Sequence, residues 1–243
     1  MAHRMPPRPS PTHFLCVQLV TGSSRPQLSK NLGAFRDDVT SPNSYGIPAE
    51  AIRPVGTLHL TLGVMSFPKD EGVEKAVALL KSLLPRRILS SIQVPEAAET
   101  AETKEPPGPP PPLLSVTLKG IHPMKSASKA TVLYAPPVDS QGILQKFCEK
   151  LKAAFQEEGL MLEENRPLLL HATIINTIYV KGARHGKERE RVTIDARGIL
   201  DRYDDYVWME DIPVEKIAIC RMGARKLDDG DEAYDVEAEI DVA

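Results

Sequence analysis

Thr57-Leu58-His59-Leu60-Thr61-Leu62-Gly63 places a leucine at every second position, and Leu170-His171-Ala172-Thr173-Ile174 repeats the alternation in the second half of the chain. Residues two apart in a strand point to the same side of the sheet. Leu58, Leu60 and Leu62 therefore face a core, while His59 and Thr61 stand together on the opposite side. Leu170, Ala172 and Ile174 do the same for His171 and Thr173. Such alternation marks strands with one covered face, the habit of antiparallel sheets rather than of parallel ones. Of the six histidines, only these two have a hydroxyl residue two positions on, and both read as mid-strand.

Working outward, Phe14 to Val20 suits a first strand. Leu28, Leu32 and Phe35 then give a helix over Gln27–Val39, with a loop over 40–50. A strand from about Thr57 to Met65 is followed by a helix opening at Pro68 and Asp70, with Val73, Val77, Leu80 and Leu84 as its stripe. Two alternating strands, LLSVTLKGI from Leu113 and KATVLYA, are joined by a turn. Asp139 begins a helix to about Gln156, with Leu144, Phe147, Leu151 and Phe155 on one face and Gly159 closing it. Leu168 to Val180 reads as one strand, Thr193 to Tyr206 as a short helix with its flank, and Val214–Met222 and Ala233–Val242 as final strands. Helices thus interleave with alternating strands, which gives an α+β class.

Residues 1–11 hold four prolines and read as a disordered leader, and the proline-rich stretch around EPPGPPPP, about 95–112, reads as a disordered insertion or linker. Residues 12–242 are then a single domain. The chain has 243 residues, of which 42% are apolar, enough for a sizeable aliphatic core. Its net charge of −3 does not announce a nucleic-acid binder, so any such contact must be local. Lys119, Lys125, Lys129, Lys181, Arg184 and Lys187 are the candidates, against the ordinary reading of solvated surface charge. Cys16, Cys148 and Cys220 are odd in number, far apart and set in apolar stretches, so buried thiols are expected. No signal peptide or membrane-length apolar run is present, and a nuclear or cytoplasmic location with no membrane association is expected.

Two imidazoles facing one phosphodiester can divide the proton transfers of its cleavage. One takes the proton of the attacking hydroxyl, and the other protonates the leaving oxygen. Threonine hydroxyls beside them can donate to the non-bridging phosphate oxygens. A lone histidine near a threonine on a strand is ordinarily structural; the recurrence of the whole pattern weighs for function. The two positions are alike, so the sequence assigns neither histidine to the acid or the base role.

The paired H-L-T and H-A-T motifs resemble the signature of the 2H phosphoesterase superfamily, which includes the 2′-5′ RNA ligase-like proteins. THFLCVQL, HLTLGVM and PLLLHATIINTIYVK are similar to the phosphoesterase domain of A-kinase anchor protein 7 and of activating signal cointegrator complex subunit 1. DARGILDRYDDYVW and VEKIAICRMG resemble the latter. The likeness runs from about Thr12 to Val242. It implies a bilobal fold, two pseudo-symmetric antiparallel sheets flanked by helices around a central cleft. It also implies metal-independent activity, with no cofactor, on 2′-5′ linkages, 2′,3′-cyclic phosphates or RNA ends, and catalytic roles for His59, Thr61, His171 and Thr173. No G-x-x-G loop precedes Phe14, so RNA targeting through a KH domain is not expected.

Tyr134, Tyr179 and Lys181 are candidate substrate-binding residues, the rings by stacking on a base and the lysine by meeting a flanking phosphate. Packing is the plainer reading for the rings and for Trp208. A straight strand carries Tyr179 about 26 Å beyond His171 on the same face. His122 and His185 read as surface residues, and Asp228, Asp229, Asp231 and Glu232 as a hairpin turn rather than a calcium loop. RNA processing by a monomer is the leading function. The alternative is a non-catalytic nucleotide- or RNA-binding scaffold with protein partners in a nuclear transcription or repair complex.

Overall fold

Alternating apolar residues build two sheets, and the motif strands lie at an edge of each. In a computed structural model that describes residues 9–93, 114–162, 164, 166–180 and 192–242, the order begins β1 (His13–Gln18), α1 (Arg25–Thr40) and β2 (His59–Met65). It continues through α2 (Val73–Ser82), α3 (Pro85–Gln93), β3 (Ser115–Lys119), β4 (His122–Pro123), β5 (Val132–Ala135), β6 (Pro137–Val138) and α4 (Ile143–Glu157). It closes with β7 (Ala172–Asn176), α5 (Arg197–Arg202), β8 (Val207–Pro213), β9 (Lys216–Arg221), β10 (Arg225–Lys226), β11 (Glu232–Ala233) and β12 (Val236–Asp241). The expected insertion at 95–112, together with Lys181, Arg184, His185 and Lys187, lies outside the described residues.

The first sheet has the order β12-β9-β1-β2, antiparallel throughout. The second is a pair of three-stranded ladders, β6-β3-β8 and β4-β5-β7, that share one long hairpin. Leu118 pairs with Pro137 and His122 with Tyr134, so one strand carries an extra residue between the two ladders. That residue creates a bulge at Gly120, which has φ +76 and whose Cβ, if present, would lie 2.6 Å from the Asp204 carbonyl oxygen. Trp208 Nε1 donates to the Gly120 carbonyl at 2.7 Å and pins the bend.

The halves correspond. In each, a helix joins two antiparallel neighbours: α1 connects β1 to β2, and α4 connects the run of β5 and β6 to β7. The strand that follows the helix ends up at the sheet edge. The two edges touch, Ile52 bridging to Ile175 while the Arg53 amide donates to the Ile174 carbonyl at 2.8 Å. Each helix packs across the divide, α1 on β8 and α4 on β2. Leu28, Leu32 and Phe35 are buried on one, joined by Val39, and Leu144, Phe147, Leu151 and Phe155 on the other, and all but Val39 are the residues the periodicity picks out. Both Asp139 carboxylate oxygens accept first-turn amides, from Leu144 and Gln145, so the aspartate caps α4 although the helix starts at Ile143.

Several expectations need correction. Pro68 does not open α2: Lys69 and Asp70 take positive φ, and the helix starts after Gly72. Leu84 lies beyond its end and is exposed, because the residue before Pro85 is pushed out of the helical region and a separate helix begins there. The expected strand Leu168–Val180 is ordered as strand only over Ala172–Asn176, then turns at Thr177–Tyr179 with the Asn176 side chain accepting the Ile178 amide. The strand Val207–Pro213 follows directly on the short helix region and is an addition to the elements read from sequence. Its alternation is blurred at Glu210 and Asp211, where Asp211 has φ +50.

Candidate active site

β2 begins at His59, and the 3-10 turn Val55–Thr57 just before it aims the Thr57 carbonyl at the imidazole. His59 Nδ1 lies 2.8 Å from that oxygen. A carbonyl only accepts, so Nδ1 carries the proton and Nε2 is left as an acceptor. The Thr61 hydroxyl lies 3.0 Å from Nε2 and donates to it. His171 repeats the device: its Nδ1 lies 2.9 Å from the Leu169 carbonyl, again two residues upstream, and its Nε2 is again the acceptor nitrogen. Neither histidine is mid-strand. His59 is the first residue of its strand and His171 stands just before β7, which lets each ring reach back to an unpaired carbonyl.

Each imidazole also rests on a ring from the neighbouring strand. Phe14 of β1 packs against His59 at 4.7 Å between centroids, and Tyr234 meets the same imidazole edge-on at 5.2 Å. Tyr134 of β5 meets His171 edge-on at 5.4 Å, and the opposite side of Tyr134 stacks with His122 at 5.9 Å. His122, read from sequence as an unpartnered surface residue, thus stands beside the site.

Thr61, His171, Thr173 and Asn176 line a common cleft of about 370 Å³ between the motif strands. His59, Phe14 and Tyr234 line an adjoining hollow of about 180 Å³, with Cys16 and Cys220 in its wall. The cysteines are free and buried as expected, the first and third with sulfurs 3.9 Å apart. Burial holds the His59 imidazole down at about 4, opposed by the Thr57 hydrogen bond and reinforced by positive charge on His171 and Arg53. His59 is therefore a neutral base at pH 7. Each motif thus presents one acceptor nitrogen with a threonine hydroxyl two residues on, at strand edges that touch.

Tyr134 is accordingly a neighbour of His171. Tyr179 is not carried 26 Å along a strand: the turn after Asn176 brings its ring under Arg53, whose guanidinium carbon lies 3.9 Å from the ring centroid. Lys119 pairs with Asp205, and Trp208 is core. Phe14, Arg53, His122, Asn176 and Tyr234 were not singled out for the site by sequence reasoning. Phe14 sits inside an alternating strand where its face is foreseeable. Arg53, in Ala51-Ile52-Arg53-Pro54, gives no sequence signal that it would be buried. Among the described residues, no three His, Cys, Asp or Glu side chains gather as a metal-ligand group.

Two antiparallel sheets whose histidine-bearing edges meet at a cleft define the 2H phosphoesterase fold. TT0787 of Thermus thermophilus shares it with a TM-score of 0.51 at 16% identity, over 95% of this chain and 97% of that one. The structure of Escherichia coli LigT complexed with 3′-AMP aligns over 96% and 98% with a TM-score of 0.48 at 17% identity. Schizosaccharomyces pombe protein C15D4.13c is 29% identical over 167 residues, 68% of each chain. The model of the AKAP7 2′5′ RNA ligase-like domain matches residues 11–242, and the chain belongs to that family, within the 2H phosphoesterase superfamily.

Proposed function

We propose that this protein is a metal-independent phosphodiesterase of RNA or oligonucleotides, acting on 2′-5′ linkages, 2′,3′-cyclic phosphates or RNA ends with His59 and His171 as its acid–base pair. The observation that carries the reading is the repeated device on the two meeting edges, an Nδ1–H fixed by the carbonyl two residues upstream with Nε2 left as the acceptor. A satisfied structural histidine has no need of a symmetrical partner. His59, neutral at pH 7, takes the proton of the attacking hydroxyl or water on Nε2. His171 acts in its imidazolium form, gives its Nε2 proton to the departing oxygen as the phosphorus–oxygen bond breaks, and is left neutral with Nδ1–H on the Leu169 carbonyl. Thr61, its hydroxyl turned from His59 Nε2 to the substrate, and Thr173 donate to the non-bridging oxygens, where negative charge gathers. Membership of the AKAP7 2′5′ RNA ligase-like family agrees with a nucleotide phosphodiester as substrate.

Purified protein incubated in EDTA with 2′-5′ and 3′-5′ oligoadenylates and a 2′,3′-cyclic nucleotide tests this. Cleavage should survive the chelator and fall about 10²- to 10⁴-fold in both His59→Ala and His171→Ala. Nucleotide binding without turnover of any substrate would favour the scaffold instead.

A further inference from the structure

Arg53 is only 5% exposed, and none of the ion pairs among the described residues includes it. Its Nη2 has no hydrogen-bond partner there. A guanidinium does not escape burial by losing its proton, so a buried one without a counter-ion is costly unless something arrives to pair with it. Its described surroundings hold it in place without neutralising it. Tyr179 stacks beneath it at 3.9 Å, and burial pushes the Tyr234 hydroxyl's pKa up, with Tyr179 adding to the rise and the Arg53 cation opposing it, so both act on that hydroxyl. Tyr234 in turn touches His59. One tyrosine's length therefore separates this cation from the imidazole.

We propose that Arg53, Tyr179 and Tyr234 form a subsite for a second phosphate of an oligonucleotide, adjacent to the phosphate held between the two histidines. The proposal deepens the phosphodiesterase reading and rests on it. Arg53 and Tyr179 lie in the wall of a cavity of about 650 Å³ that also receives Arg36 and Lys226, space enough for a nucleotide. Tyr179 is 44% exposed while Arg53 covers one side of its ring, leaving a surface on which a base can stack. Glu50, Asp229 and Glu232 line the same cavity, so the attraction belongs to the Arg53 corner and not to a basic field. Asp231, also in that wall, is already taken by Arg25 and the Gly56 amide. A planar guanidinium with an unused edge suits the paired oxygens of a phosphate. The preferred substrate then carries at least one phosphate besides the scissile one.

Titration of the full-length protein with adenosine 3′-monophosphate and adenosine 3′,5′-bisphosphate reads the subsite without turnover, because neither contains a diester. The bisphosphate should bind at least tenfold more tightly to the wild type, and Arg53→Met should bring the ratio close to one. Equal binding by the wild type, or a ratio that persists in Arg53→Met, overturns the proposal. Should that variant fail to fold, Tyr179→Ala, at an exposed ring, is expected to cut the ratio at least threefold, and an unchanged ratio is again fatal. Discrimination without cleavage of any oligonucleotide would keep the subsite and remove the phosphodiesterase. Cleavage without discrimination would do the reverse.

Discussion

His59 shows how a single hydrogen bond turns a buried side chain into a reagent. The Thr57 carbonyl fixes the tautomer, and burial keeps the ring neutral down to about pH 4. If His59 is the base, kcat/KM of the free enzyme should lose activity below about pH 4, and a limb near the usual 6.5 in its place would reassign the role. The same depression has a stability consequence with a definite sign. The unfolded chain takes up a proton near 6.5 and the folded one only near 4, so stability declines as pH falls through that window. Thermal melts between pH 7 and pH 4 should show this decline, and His59→Ala should lessen it. At the threonines, Thr61→Val or Thr173→Val should lower kcat by about 10²-fold with little change in fold, since each removes one donor to the phosphate oxygens. The side-chain alternation that put these four residues on the side opposite the leucine face is fully legible in the sequence. The tautomers are not, because they depend on where two carbonyls point. Nor is the depressed His59 pKa, which depends on what covers the ring.

At the scale of elements, the bulge at Gly120 and the hairpin of β10 and β11 show what local chemistry decides. Gly120→Ala combines a positive φ with a contact at 2.6 Å to the Asp204 carbonyl oxygen. It should destabilise the protein by about 1–3 kcal/mol, measured by denaturant unfolding. A cost below about 0.5 kcal/mol would mean the bend is not held where it is. Gly56 is tight for a different reason: a Cβ there would collide with the Glu232 carbonyl oxygen. The acidic hairpin tip is docked on that glycine, with Asp231 accepting from its amide. Periodicity found the helices and most strands because each buries one face. It mislaid boundaries wherever the backbone leaves regular structure without an apolar signal, as at Lys69 and Asp70, at Thr177–Tyr179 and at the strand Val207–Pro213.

The whole molecule is laced across its midline. Besides the packing of α1 on β8 and of α4 on β2, the Asn31 side chain donates to the Val207 and Trp208 carbonyls at 3.1 Å. Tyr206 returns a bond to the Asn31 carbonyl. Halves bound in this way should unfold together, so Trp208 fluorescence and far-UV circular dichroism should give superimposable denaturation curves; separated midpoints would show the lobes melting independently. A Phe155→Ala change on α4, fully buried, should cost about 3–5 kcal/mol and lower both signals together.

By itself the sequence determined the α+β class, the amphipathic faces and the pairing of each histidine with its threonine, because these follow from residue spacing along one strand or helix. The tertiary structure alone decided that the two motif strands lie at edges that meet. It also brought Tyr179, from the second motif's segment, to Arg53 and Tyr234 on the first histidine's side, and left Arg53 buried without a counter-ion among the described residues. Such relations join residues far apart in the chain, and side-chain spacing within a segment carries no information about which other segment will cover it.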